Sequence, residues 1–434
     1  MFAYYLDLAL RSFGRNKALT TLMVLTIALG IGASMTTLTV FHVISGDPIP
    51  GKSDRLFTVQ MNVLPDSQYD PDDAGESLQM TRLDAEALLK QASGKRQAMM
   101  SAGRVVIMPA TAGQSAFRVE SRYTTADFFP MFDVPLRYGQ PWSAQDDGDH
   151  ARVAVISSRL NETLFGGADS TGRTIQVDGQ GLRVVGVLGA WAVNPRFYDL
   201  TNNEFGDSED LFVPFSTALD MKLALSGSMW CWGDTPEGRT ALSAPCAFLQ
   251  YWTELDSAAD AAGYRRSLDN YIAHQHSLGR FRHPGEVQLR NVMAWLDHNH
   301  VVPSDVRLQL WLALGFLLIC LLNTIGLLLA KFLRRSGEIG VRRALGASRR
   351  TVFAQYLVES GIVGLSGGAL GLLLALAGLA VVRRQPADYA SLAHMDATML
   401  LVTFALALLS SLVAGAFPAW RAMQVAPAIQ LKSQ

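Results

Sequence analysis

Only three cysteines occur in 434 residues, and Asp, Glu, Lys and Arg together make up just 17% of the chain. So few cysteines exclude a disulfide framework and a cysteine-rich metal domain. The shortage of charge is uneven. It is concentrated in four long runs, residues 19–44, 307–333, 351–382 and 398–420, whose cores hold no Lys or Arg. Each is long enough to cross a bilayer as a helix, which takes about 20 apolar residues. A recognisable catalytic set is also missing. No H-E-x-x-H and no C-x-x-C is present, which removes two common metal and dithiol chemistries. No phosphate-cradling loop is expected: "GGADSTGRT" lacks the lysine and leads into a strand, whereas such a loop needs the lysine and a following helix. No catalytic residue, metal site or cofactor is therefore assigned to this chain. A net charge of −1 gives no reason to expect a nucleic-acid partner.

What is present divides the chain sharply. Mean hydropathy is +0.18 with 49% apolar residues, as in a protein that lives partly in lipid. The run 19–44 is about twice the length of a cleaved signal's apolar region, so it is read as a permanent anchor. Basic residues cluster beside the runs. Residues 1–18 hold Arg11, Arg15 and Lys17 against Asp7; residues 331–350 hold Lys331 and six arginines against Glu338; the tail 421–434 holds Arg421 and Lys432. Lys and Arg are retained on the cytoplasmic side, so both termini and the 334–350 loop are expected there. Residues 45–306 have an acidic excess of about ten, the sign expected of a translocated domain. Arg383 and Arg384, at the start of the short outer loop 383–397, run against the rule and are expected to snorkel to headgroups. The first 16 residues place Phe2, Tyr5, Leu6, Ala9 and Phe13 on one helical face, which suits a cytoplasmic helix lying at the membrane surface.

The outer segment is long enough to bury its own core. Alternation in "RLFTVQMNV", β-rich "RVAVIS" and "LRVVGVLG", and helical stripes over 77–91 and 256–277 predict an α+β fold rather than repeated βαβ units. The turn glycines of "STGRTIQVDGQGLRVV" predict a hairpin. Cys231 and Cys246 both fall in this segment, flanking a loop rich in Gly, Pro and Ser. In an oxidising compartment they are expected to form a disulfide. Cys320 lies inside the second run and is expected only to pack. Five histidines fall in 274–300, where a polar linker is expected rather than a metal site, which needs three or four ligands at fitting spacing.

One stretch is specific. "RRSGEIGVRRALGASRRTVFAQYLVES" contains Arg335, Glu338, Ile339, Gly340, Arg342, Arg343, Ala344, Leu345, Gly346 and Ala347, then Gln355 and Glu359. With "GAFPAWRAMQVAPAIQL" near the C-terminus, including Pro418, Pro427 and Leu431, it resembles the FtsX/MacB-type (type VII) permeases of ABC transporters, without a fused ATPase domain. "YTTADFFPMFDVPLRYGQPWS" and "RVAVISSRLNETLFGG" look like that family's outer-domain signatures; residues 210–250 match nothing in it. The resemblance implies four transmembrane helices and a large α+β, MacB-like periplasmic domain, in a bacterial inner membrane. It implies that Arg334, Arg335, Glu338, Ile339, Gly340, Val341, Arg342, Arg343, Ala344, Leu345 and Gly346 form a coupling helix docked on a separate cytoplasmic ABC ATPase, which binds ATP and Mg. Ile339, Val341 and Leu345 would be its inserted apolar face, and the arginines would meet lipid phosphates.

The residues support that helix locally. Glu338 is four residues from Arg334 and from Arg342, the spacing of helical ion pairs. Gly346 suits a left-handed helix end and Ser348 the cap of the next helix. Glu359 falls about nine residues into the third run, where an acid must face protein or water; a structural bond is preferred over proton coupling. Gly364/Gly368 and Gly367/Gly371 have small-xxx-small spacing for close helix packing. The family leads to a second permease copy or paralogue, forming a dimer, and for an exporter to a periplasmic adaptor and outer-membrane duct. Efflux of drug- or peptide-like substrates by mechanotransmission is the expected function. A lipoprotein-extracting permease and an FtsX-like regulator of cell-wall hydrolases remain alternatives.

Overall fold

The computed structural model describes residues 17–62, 79–109, 115–202, 204–206, 208–281, 287–385 and 389–424. The amphipathic stripe of the first 16 residues and the C-terminal Pro427 and Leu431 lie outside them. The chain divides into two compact units, residues 47–301 and the remainder.

The 47–301 unit is built on strands β1 (Leu56–Gln60), β2 (Met80–Thr81), β3 (Arg96–Met108), β4 (Phe117–Thr124), β5 (Leu136–Gly139), β6 (Val153–Ile156), β7 (Thr174–Val177), β8 (Gln180–Leu188), β9 (Leu211–Pro214), β10 (Trp230–Cys231), β11 (Cys246–Glu254) and β12 (Gln288–Asn291). The sheet order is β12-β1-β11-β3-β4-β9-β6-β8-β5, with β2 and β10 added to β11. β7 pairs with both β3 and β8, so the path β3-β4-β9-β6-β8-β7 returns to its start and leaves no open edge there. Pairing is antiparallel except for β4–β9 and β6–β8. The expected hairpin is β7–β8, turned at Asp178 and Gly179, both with positive φ, the geometry of a two-residue turn matched to strand twist.

Here α1 denotes Lys17–Ser45 of the other unit; the helices of this unit are α2 (Arg82–Gln91), α3 (Phe128–Met131), α4 (Ala144–Gly148), α5 (Ser158–Phe165), α6 (Phe215–Asp220), α7 (Ala258–Ser277) and α8 (Val292–His298). Their starts are written in the sequence. Thr81, Ser143, Ser157, Ser257 and Asn291 each accept a first-turn backbone N–H, which satisfies a donor the helix itself leaves open. An aromatic cluster of Phe128, Phe129, Phe132, Phe197, Tyr198 and Phe212 fills the core beside β4. Within it Arg122, fully buried, donates to Asp199 (2.7 Å) and Glu209. Burial alone would raise both carboxyls, but the guanidinium outweighs it and holds them below the ordinary carboxylate range. Cys231 and Cys246 are bonded, closing the loop between β10 and β11.

The remaining unit joins α1 to α9 (Ser304–Arg334), α10 (Ser336–Ala344), α11 (Arg349–Val382) and α12 (Ala397–Met423). All but α10 are long and apolar enough to cross a membrane. The glycines of α11 serve two different neighbours. A Cβ at Gly367 or Gly371 would press on Ile27 or Ile31 of α1, at 2.7 and 3.1 Å; one at Gly368 would meet Ala407 of α12 at 2.5 Å, and Gly364 lies against Ser411. Absent side chains thus let α11 approach α1 on one face and α12 on the other.

Two short strings have the spelling of a chemical motif without its structure. "GDPIPGKS" (46–53) does have phosphate-loop spacing, although no such loop was expected. Its structure is not one. Pro48 and Pro50 have no N–H to offer, and Lys52 Nζ is spent on Pro130 O (2.9 Å), Met131 O (3.2 Å) and Asp133 (2.6 Å). A strand follows it, not a helix. "GLSGG" (364–368) has the spelling of a nucleophile elbow but runs through the middle of α11 as regular helix.

Candidate functional site

Arg335 breaks the chain between α9 and α10, with φ −101° and ψ 14°. α10 then runs from Ser336 to Ala344 and ends where Gly346 takes φ +103°. The Gly346 and Ala347 N–H groups return to Arg343 O and Arg342 O, each at 3.1 Å. This left-handed stop is the one expected of glycine. Ser348 accepts from Thr351 N at 3.1 Å and opens α11. A short, separately capped helix is thereby set between two long apolar ones.

The faces of α10 differ from the sequence reading. Ile339, assigned there to an inserted apolar face, is 3% exposed and packs in the core of the helical unit with Phe332 and Val352. Gly340 beside it is buried too. Val341 is 52% and Leu345 84% exposed. The helix is therefore held by Ile339 and presents Val341 and Leu345. Arg334, Glu338, Arg342 and Ala344 are also exposed, with Arg343 half-buried. Arg342 donates to Gln355 (3.2 Å), and Arg343 to Met423 O (3.3 Å) at the last turn of α12, where helix carbonyls favour a cation.

Under this helix lies a charge pair. Lys331 Nζ is 2.7 Å from Glu359 Oε1, and Arg335 Nη1 stands 3.7 Å from the same oxygen. Lys331 and Glu359 are 1% and 2% exposed. Phe332 and Tyr356 pack beside them, ring centroids 4.2 Å apart. The sequence reading counted Lys331 among the cytoplasmic topology charges; it is instead enclosed between helices. Its partner is 28 positions away, and nothing local marks the pairing. A buried acid and base at this depth satisfy each other. At the opposite end of α11, Arg383 donates to Ala393 O (2.8 Å), a protein contact that the snorkelling argument omitted.

Among the described residues no cluster of His, Cys, Asp or Glu has metal-binding geometry. The site offers a basic helix with two projecting apolar side chains, anchored to the bundle by Ile339 and lying next in the chain to an ion pair that joins α9 to α11.

Four membrane-length helices with an α+β unit inserted after the first define a polytopic membrane protein with a large domain outside the bilayer. Residues 20–271 match the MacB-like periplasmic core domain, and residues 311–427 the FtsX-like permease C-terminal domain. The chain belongs to this MacB/FtsX family of ABC-transporter permeases. It is 23% identical over 438 residues to the macrolide export ATP-binding/permease protein MacB of Marinobacter nauticus, covering 98% of this chain and 60% of the relative. It is 27% identical over 341 residues to the pyoverdine export ATP-binding/permease protein PvdT of Pseudomonas syringae pv. tomato, 76% of this chain and 46% of the relative. The chain spans about half the length of the curated relatives it matches. The periplasmic region of MacB from Actinobacillus actinomycetemcomitans aligns over 56% of this chain and 92% of that one, at 15% identity and a TM-score of 0.37.

Proposed function

We propose that this chain is the membrane subunit of an ABC exporter and that α10 docks on a cytoplasmic ATPase, which binds ATP and Mg. ATP-driven closure of that ATPase moves α10, and the helical unit transmits the movement to the outer domain. The exported cargo is drug- or peptide-like. Both termini are cytoplasmic, the membrane is a bacterial inner membrane, and a second copy or paralogue completes the permease. An adaptor and outer-membrane duct carry the cargo onward. The observation that supports this best is the division of α10: Ile339 secures it, while Leu345 projects 84% exposed amid arginines. A helix serving only as a topology signal needs charge but no projecting leucine. Similarity to macrolide and pyoverdine exporters supports export over the lipoprotein and signalling alternatives.

The test uses Leu345→Asp and Glu338→Lys in the tagged full-length chain, purified from its own host. Both variants are expected to insert with residues 45–306 reachable by external labelling, yet to lose the co-purifying ATPase. A buried unpaired charge in the docking groove and a like charge in a basic contact are the reasons. Undiminished ATPase recovery with both variants would leave only the topology role.

A further inference from the structure

A cleft of about 850 Å³ opens in the 47–301 unit, within the size range of small-molecule sites. It is lined by α2 together with Glu237, Thr240 and Ala241 of the disulfide-closed loop as one wall, and by residues of α4 and α6. Arg82 latches the first wall, pairing with Glu86 (2.7 Å) and donating to Thr240 O (3.0 Å).

The charges on its lining do not balance. Arg82–Glu86 and His150–Asp220 (2.6 Å) are internally paired. Among the described residues of the lining, that leaves Asp127, Asp147 and Glu237 against one cation, Lys90. Two of these carboxylates are held rigidly. Asp127 accepts from Gln97 N at 3.0 Å, and Asp147 accepts from Ala126 N at 2.7 Å and Trp142 Nε1 at 2.9 Å. About half of the remaining lining is apolar, contributed by side chains that include Leu89 and Leu219, with Met99 and Phe215 behind them. Fixed acids beside an apolar surface complement a cation carried on an apolar body.

We propose that this cleft binds a cationic amphiphile, a molecule with a protonated amine on an apolar body, and that the loop closed by Cys231–Cys246 is the wall that sets its selectivity. The wall comes from the 210–250 stretch, where the sequence shows no resemblance to the family. The proposal stands independently of ATPase docking by α10, because binding is measured without nucleotide or partner.

The full-length chain is placed in nanodiscs of zwitterionic lipid and titrated with dansylcadaverine, with empty discs subtracted. N-acetyl-dansylcadaverine has the same apolar body without the charge. We expect the acetylated probe to bind about tenfold more weakly, the loss of one charge-assisted contact. Asp127→Asn and Glu237→Gln should each weaken the amine probe and leave the acetylated one unchanged; Asp256→Asn, outside the cleft, should change neither. Glu237 is exposed on the loop, so its variant tests the site even where Asp127→Asn misfolds. Reduction of Cys231–Cys246, at a temperature where the domain stays folded, should weaken both probes. Equal binding of the two probes, absence of binding above empty discs, or wild-type affinity in Glu237→Gln would overturn the cation site. Unchanged binding after reduction would overturn the role of the loop.

Discussion

Lys331 and Glu359 face one another at 2.7 Å, both buried, tying the end of α9 to the first third of α11 next to α10. The pair fixes the frame from which α10 projects. Glu359→Leu leaves Lys331 buried without its counter-charge, and Lys331→Met leaves Glu359 with Arg335 at 3.7 Å; breaking a buried pair costs about 3–5 kcal/mol. The double variant Lys331→Met/Glu359→Leu removes both charges and should recover most of that loss. Thermal unfolding of the four proteins in detergent gives the cycle; additive losses in the double variant would contradict a direct pair.

On α10, Ile339→Asp and Leu345→Asp should behave oppositely. Ile339 is buried in the helical core and Leu345 is 84% exposed. Placing a charge at 339 should lower the unfolding midpoint, since an unpaired buried carboxylate is expensive. Leu345→Asp should leave the midpoint within about 0.5 kcal/mol of wild type, as surface changes do. Equal destabilisation would mean that the two faces are not distinct.

Gly368→Val drives a side chain into Ala407, whereas Gly315 has no atom within 4 Å of where a Cβ would sit. Overpacking of a close helix contact costs about 1–3 kcal/mol. We expect a lower unfolding midpoint for Gly368→Val, and little change beyond helix propensity for Gly315→Ala. Intramolecular crosslinking between cysteines introduced on α11 and α12 should fall only in the first.

Arg122→Met removes the guanidinium between Asp199 and Glu209 in the aromatic core, leaving Glu209 with Arg196 at 3.4 Å and Asp199 with neutral donors only. Their carboxyls are held below the usual range, so their pairing stabilises the fold above about pH 4 and is lost as pH falls through the lowered values. The variant should lose about 3–5 kcal/mol at pH 7. That deficit should shrink on acidification, as read from denaturation at pH 7 and pH 3.5.

Asp147 has the reverse sign. Burial pushes its carboxyl up to about 6, against the hydrogen bonds from Ala126 and Trp142. The folded state then holds a proton that the unfolded state has released, so stability falls as pH rises from about 4 to 6. Asp147→Asn removes the titration but keeps one acceptor oxygen in place of two, so either the Ala126 N–H or the Trp142 Nε1–H loses its partner. The variant should be less stable than wild type near pH 4, and the gap should narrow by about 1–2 kcal/mol by pH 7.5 as the wild-type carboxyl loses its proton, after discounting for partial exposure. Unfolding midpoints measured across that interval decide it.

The sequence by itself determined everything that depends on neighbours along the chain. Apolar length located the four long helices, Ser348 located the start of α11, and Gly346 located the end of α10. Cys231 and Cys246 were legible because only those two share the outer segment. Tertiary structure decided what depends on which faces meet. Lys331 reads as one more basic residue until α11 brings Glu359 beside it. Ile339, Val341 and Leu345 are equally apolar as letters, and packing against the bundle divides them into one anchor and two projecting side chains. The closure of the sheet through β7, and the cleft that joins α2 to the disulfide loop, also depend on contacts between distant segments. Periodicity and capping are local interactions; pairing and enclosure arise only when the chain has packed.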